Sequence, residues 1–406
     1  MKQGNVCRQL AEDMRPPTDV GFETSGFSTS ASVRGGLIAT NLIGYSSSHG
    51  NAFGFLRLLF ASLVIVSHST ELFDGNRGRE PLTKLFGTIS FGDLAVDCFF
   101  IISGYLVVGS YIKRPGVSEY LLRRAARIYP GFLVASIISL AIIAPLVGAD
   151  PQQLVENPFG MVMRSVLLQP PRAIGAFDAL PSPHLNEAMW TIAYEFRCYL
   201  LVLALGALGC FRRPRHISLL AAISLILFEL VSPSIFEKLN LLLPYSDYWF
   251  GRVDQSLRFS GMFLMGALFY LLRDCVGFTG RGLLLAVISF LICLSIPKLA
   301  QPAVATFGAY IIFAAARWGG SNPLGRVNHD IDISYGVYLY AWPTTQLLVR
   351  SWPAMSSVLA GLITLTVVIF CGWLSWRFVE QPIIAKVRLR SDRRFYRNGL
   401  AEAAAR

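Results

Sequence analysis

Charge is what this chain has least of. Of its 406 residues only 15% are Asp, Glu, Lys or Arg, against about 25% in an ordinary soluble domain. So little charge cannot cover a water-facing globule of this length, which excludes soluble domains as the main body. Cysteine chemistry is also thin. The seven cysteines, Cys7, Cys98, Cys198, Cys210, Cys275, Cys293 and Cys371, are odd in number, lie mostly inside apolar runs and form no CxxC pair. That excludes a disulfide framework or a zinc site and leaves small apolar residues. No internal repeat relates the two halves. Leu37 to Ile43 is too short and interrupted for an export-signal core, and no basic region directly precedes it, so no cleaved signal is read.

What the chain has is apolar length: 53% hydrophobic residues and a mean hydropathy of +0.51. Residues 1–52 are polar, rich in Ser, Thr and Gly from Thr24 to Gly50, and are expected to be a disordered tail or to precede the working start. Ten segments follow, each near the length that crosses about 30 Å of hydrocarbon as helix. They run approximately Phe53–Thr70, Asp93–Ile112, Ile128–Gly148, Met189–Gly209, His216–Ser232, Leu257–Leu272, Gly282–Ile296, Pro302–Ala316, Ile333–Val349 and Ala354–Trp376. The fold expected is all-α, a polytopic membrane helix bundle: a transmembrane domain over 53–382 and a basic tail over 383–406.

The net charge of +11 would suggest nucleic acid in a soluble protein; here its placement decides otherwise. Ten crossings put both termini on one side. The loops and tail on that side hold 20 Lys and Arg, and the segments on the other side hold 10. The positive-inside rule therefore makes both termini cytoplasmic, with no nucleic-acid partner. The longest outer loop, Ala149 to Ala188, has an apolar middle, Phe159 to Leu168, expected to lie along the membrane surface.

Charged groups inside hydrocarbon are costly unless paired or solvated, so those within the spans are the functional candidates. Arg57 and His68 in the first span are 11 residues apart, about 20° past three full turns. They share a helix face about 16 Å apart, Arg57 at the cytoplasmic end and His68 at the outer end. The same pattern also suits a snorkelling Arg and an interfacial His. Asp97 opens the second span and Glu195 follows Trp190 and Tyr194 in the fourth, both entering from outside. A histidine and carboxylates meeting at one depth form the usual apparatus for activating a hydroxyl. Ser103-Gly104 suits close approach of a neighbouring helix, and Trp190 alone would be an interfacial anchor. On the cytoplasmic side Arg123 and Arg127 share a helix face with Arg124 beside them. That cluster fits either plain positive-inside bias or a phosphate clamp for an anionic cytosolic ligand.

The same residues resemble the acyltransferase-3 family of integral-membrane acyltransferases, over about Phe53 to Pro382. The resemblance rests on Arg57-x10-His68, the run Asp97 to Tyr105, Arg123-Arg-x-x-Arg127-x-x-Pro130, Trp190-Thr-Ile-x-Tyr194-Glu195, Ile333 to Tyr340, and Arg377-Phe-x-Glu380-x-Pro382. Leu185 to Tyr199 looks most like bacterial O-acetyltransferases that decorate O-antigen or exopolysaccharide. The resemblance implies ten spans, an acyl-CoA donor reached from the cytoplasm and a sugar-hydroxyl acceptor on the outer side. Two departures stand out. Many members carry a second His in a Tyr-Leu-Trp-His-x-Pro run, where this chain has Ala341 and Trp342, and the soluble esterase-like domain of some members is missing.

These readings predict a membrane O-acetyltransferase in a bacterial inner membrane. His68, Glu195 and Asp97 are the expected catalytic groups, Glu195 or Asp97 orienting the imidazole. Arg57, Arg123, Arg124 and Arg127 are expected to bind acetyl-CoA, and Trp190, Tyr194 and Ser103 the acceptor, a polysaccharide or lipid-linked oligosaccharide; no metal is called for. Membrane lipid and glycan-assembly proteins are the remaining expected partners. A secondary transporter or flippase of glycan precursors, or a non-catalytic scaffold, are the rival readings.

Overall fold

The computed structural model describes residues 51–149, 158–242 and 251–404; the expected tail ahead of residue 51 lies outside them. Every regular element among the described residues is helical, the form in which a chain satisfies its own backbone in lipid. A helix stands on each of the ten expected segments. They begin with α1 (Phe53–Asp74), α2 (Phe91–Lys113) and α3 (Val117–Ile138), the last prolonged to Leu146 through a π turn. After the surface helix α4 (Pro158–Val166) come α5 (Thr191–Ala207), α6 (Pro214–Leu230) with its continuation α7 (Pro233–Leu242), α8 (Val253–Leu271) and α9 (Gly280–Leu294). The chain closes with α10 (Pro297–Gly319), α11 (Ser334–Ser351), α12 (Ser357–Ser375) and α13 (Gln381–Ala404).

Six of these are long and apolar enough to cross a membrane alone, and seven crossings result if α6 and α7, bent by 104°, form one span. The protein is thus a multi-pass membrane protein. The other three segments fall outside that group for physical reasons: α9 has 15 residues, while α8 and α11 carry polar side chains used inside the bundle.

Several helix ends are set by local caps. Ser90 and Asp93 form a reciprocal capping box at the start of α2, Asp93 N donating to Ser90 Oγ at 3.0 Å. Buried Glu80 caps the short helix before it and also accepts from Phe91 N at 2.9 Å, locking the α1–α2 connection. α1 ends on Gly75, whose φ of 62° is the left-handed cap geometry, its N–H donating to Glu71 O.

α1 packs between α2 and α11, with α12 alongside. α2 and α8 meet backbone to backbone. A Cβ at Gly104 would collide with the Phe263 carbonyl oxygen, and one at Gly266 with that of Ile101. The close approach expected at Ser103-Gly104 is made by α8. Phe100 and Phe259 stack beside this contact at 4.3 Å. Cys98 and Cys198 are buried free thiols as the sequence reading expects, whereas Cys275 is disulfide-bonded.

Two further expectations take a sharper form. The apolar middle of the long loop is the helix α4, with Phe159, Val162 and Val166 exposed along it. The basic tail after 383 is helical: α12 runs through a π turn at Trp376–Glu380 into α13, which docks on the start of α3. There Arg114 pairs with Asp392 at 2.5 Å, and Ser391 Oγ donates to Glu119 at 3.1 Å.

Candidate active site

His68 sits in the last two turns of α1. Its Nδ1 lies 3.2 Å from Glu71 Oε2, one turn further along, and Arg77 Nε is 3.7 Å from the same oxygen. A carboxylate on Nδ1 assigns the proton to that nitrogen and leaves the Nε2 lone pair free to accept. The Trp342 ring meets the imidazole edge to face at 4.9 Å and is itself held by Nε1–H donating to His184 O at 3.0 Å. The His68 side chain keeps 18% of its surface accessible. The ring is therefore oriented on one side, braced on another and open on a third.

Neither expected partner orients it. Asp97 is fully buried and is taken by Arg258, which donates from Nε to Oδ1 at 2.9 Å and from Nη2 to Oδ2 at 3.0 Å. Arg258 Nη1 reaches Asp93 at 3.3 Å. With its amide oriented to suit its neighbours, Gln301 donates to Asp97 at 2.7 Å and accepts from Arg258 at 3.2 Å. Asp97 is thus held in a clamp that joins α2, α8 and α10.

Glu195 is reached after a loop that runs along α11. Tyr338, one turn deeper than Trp342, donates to Ala188 O at 2.5 Å. Glu195 follows seven residues later, about 10 Å further in along a helix. It accepts from Ser103 Oγ at 3.1 Å and from Tyr199 OH at 2.6 Å. Glu195 and Ser103 both keep accessible surface although they face each other between α2 and α5. Trp190 and Tyr194 pack elsewhere: they meet each other at 5.5 Å and both contact Phe259 on α8. Tyr194 OH accepts from Arg252 N at 2.9 Å. The expected acceptor trio Trp190, Tyr194 and Ser103 is therefore not brought to His68: the two rings fill the α5–α8 seam, and Ser103 serves Glu195.

At the opposite end of α1 a second cluster forms. Asp332, just ahead of α11, lies 3.1 Å from Arg57 Nη1 and accepts from Arg127 Nη2 at 2.6 Å. Asn328 and Ser334 also donate to it, at 3.1 and 2.5 Å. Burial opposes its charge, but Arg57 and Arg127 together with these hydrogen bonds hold its carboxyl well below the usual range. Arg127 Nη1 also reaches Glu380 at 3.3 Å, and the Arg127 guanidinium lies over the rings of Tyr335 and Trp376. Of the four expected donor-binding arginines, two are thus largely neutralised by carboxylates. The other two are not. Arg123 donates to Ser391 Oγ at 3.3 Å while its Nε and Nη2 are buried without partners. Arg124 donates to Ser110 Oγ at 3.4 Å, lies over Tyr120 and Tyr199, and has a buried unpartnered Nε. Unpaired buried guanidinium N–H groups are what a phosphate would satisfy.

The sequence reading missed Glu71, Trp342, Arg258 and Asp332. Glu71 was legible, three residues from His68 on a helix. Asp332 and Arg258 are not, because their partners lie more than 150 residues away. Among the described residues no three His, Cys, Asp or Glu side chains gather as a metal site.

The chain is similar to the O-acetyl transferase of Shigella phage Sf6, 25% identical over 356 residues, which cover 83% of this chain and 96% of the relative. It is 24% identical over 375 residues to nodulation protein 10 of Rhizobium leguminosarum bv. viciae, covering 83% of this chain and 94% of that one. Acyltransferase MdmB of Streptomyces mycarofaciens is 31% identical over 122 residues, 29% of each chain. No solved structure matches. The acyltransferase domain family matches residues 51–381, from the residue before Ala52 at the foot of α1 to just past Glu380, and so takes in both clusters. The chain belongs to this acyltransferase domain family.

Proposed function

We propose that this membrane acyltransferase is an O-acetyltransferase that moves an acetyl group from acetyl-CoA to a hydroxyl of a polysaccharide or lipid-linked oligosaccharide. The observation that carries it is the pairing of one open, oriented imidazole, His68, with unpartnered guanidinium N–H groups at the far end of the same bundle. The donor phosphates would bind Arg123 and Arg124, while Arg57 and Arg127 stay paired with Asp332 and Glu380. The pantetheine arm would run past Ser103 and Glu195, whose accessible surface lies between the two ends.

In the transfer step the acceptor oxygen attacks the thioester carbonyl as His68 Nε2 takes its proton. Glu71 steadies the imidazolium. The new C–O bond forms as the C–S bond breaks, and the proton passes to the leaving thiolate. The relative from Shigella phage Sf6 carries the name O-acetyl transferase, which supports acetyl as the group moved. Ten crossings with both termini cytoplasmic in a bacterial inner membrane would put Arg123 and Arg124 in reach of cytosolic donor and His68 at the outer face. In this arrangement residues 53–382 form the acyltransferase domain, with 1–52 and the basic helix after 383 flanking it.

The test is transfer of radiolabel from acetyl-CoA to surface polysaccharide. His68→Ala should lower the rate about 10² to 10⁴-fold at unchanged protein level. Near-normal transfer by a stably inserted His68→Ala protein would sink the assignment, and polysaccharide export lost together with label would favour a transporter.

A further inference from the structure

The loop leading into α5 is anchored far more firmly than a connector needs. Four of its residues are tied to one face of α11. Ser182 O accepts from Gln346 Nε2 at 2.5 Å, His184 O from Trp342 Nε1 at 3.0 Å and Ala188 O from Tyr338 OH at 2.5 Å, while Asn186 Nδ2 donates to Leu339 O at 2.9 Å. Tyr338, Trp342 and Gln346 follow one another at i, i+4 and i+8, a single stripe. The backbone of this loop is thus a rigid shelf beside His68.

Its side chains are not used up by that anchoring. His184 and Glu187 keep 50% and 40% of their surface accessible and face each other, Nε2 to Oε2 at 3.4 Å. Ser182 Oγ lies 3.4 Å from His184 Nδ1. The indole that holds the His184 carbonyl is the same one that braces His68, so one ring separates this pair from the imidazole. A second observation is independent of the first. Asn186 Oδ1 on the shelf and Gln346 Oε1 beneath it both lack a hydrogen-bond partner. Both residues are at most 1% exposed. Buried polar atoms without partners are rare in folded proteins and call for a hydrogen bond from outside the chain, from water or from a bound group.

The donors and acceptors gathered here are hydroxyl, amide, imidazole and carboxylate, a set suited to the closely spaced hydroxyls of a sugar ring. We propose that the 182–187 shelf is the acceptor subsite, His184 and Glu187 taking neighbouring hydroxyls of a glycan unit while another is presented to His68 Nε2. This rests on the O-acetyltransferase reading above. It gives the acceptor's grip to residues on a fixed backbone, separate from the groups that perform the transfer.

The experiment uses the full-length protein in detergent micelles, with polysaccharide extracted from cells lacking the gene as probe. Glu187→Gln and His184→Ala should each raise the acceptor KM at least tenfold while the acetyl-CoA KM moves less than twofold. Binding of the same polysaccharide to a His68→Ala protein, read by tryptophan fluorescence, should weaken at least tenfold when Glu187→Gln is added. That readout needs no turnover. Unchanged acceptor KM and unchanged binding in these variants would overturn the subsite, as would equal changes in donor and acceptor KM. Saturable binding that depends on Glu187, with no acetyl transfer by the unaltered protein, would instead overturn the O-acetyltransferase reading and leave a glycan-binding shelf.

Discussion

At the residue scale the arrangement depends on what holds His68. The imidazole is held by a carboxylate one turn away on its own helix and braced by the Trp342 ring of α11. Glu71→Gln retains an acceptor oxygen but removes the charge that steadies the imidazolium, whereas Glu71→Ala removes both. We expect kcat to fall about tenfold in the first and about a hundredfold in the second, with both KM values little changed, as steady-state kinetics on purified protein would show. Recovery of activity in Glu71→Asp would separate positioning from mere packing. His68, Arg57 and their shared face were legible from spacing alone. The partner of His68 was sought among carboxylates of other spans because these appeared at matching positions in the chain. Glu195 meets Ser103 and Tyr199 instead, and the shelf runs a full turn along α11 before α5 begins.

At the scale of helices, the Asp97–Arg258 pair and the Gly104–Gly266 contact together fix α2 against α8. One supplies charge in a sealed place, the other removes the side chains that would hold the backbones apart. Removing one partner of a buried pair costs about 3–5 kcal/mol because the other charge is left unpaired. Asp97→Ala should therefore reduce the amount of folded, monodisperse protein recovered in detergent. Any protein that does fold should turn over at near-normal kcat, since Asp97 does not touch the imidazole. A folded Asp97→Ala protein with kcat down a hundredfold would contradict this division of labour. Gly266→Ala should be harmful for the same structural reason, read by thermal melting in detergent. The close helix contact was legible in Ser103-Gly104, but its partner was not, because nothing local marks Gly266 as the glycine that meets it.

Over the whole molecule, charge is spent at two ends of one bundle. At one end Asp332 gathers Arg57 and Arg127, and at the other Glu71 holds His68. Because the Asp332 carboxyl is held below its ordinary range, its contribution to stability is present above about pH 4 and is lost as pH falls through the lowered value. Asp332→Asn should melt below the unaltered protein at pH 7, by a loss of about 2–3 kcal/mol given the partial exposure of both arginines. The gap should narrow in strong acid, and melting curves at pH 7 and pH 3 would check it. The proposed orientation has its own test: a cysteine placed at Arg172 should react with a membrane-impermeant maleimide added to intact spheroplasts, and one at Lys386 should not. The all-helical class and the approximate spans came from composition and length, which are global properties. The Asp332 and Asp97 ion pairs did not, because each joins groups that the fold alone makes neighbours.

The π turn at Trp376–Glu380 carries a mechanical consequence. It is in effect one extra residue wound into an otherwise continuous rod from α12 to α13. Deleting Phe378, which is exposed, would relax the rod to ordinary winding and turn everything beyond it by about 100°. That rotation would swing Glu380 away from Arg127 and carry Ser391 and Asp392 off Arg123 and Arg114 in a single stroke. The extra residue acts as the gear tooth that keeps the end of the chain in mesh with the arginines at and just before α3.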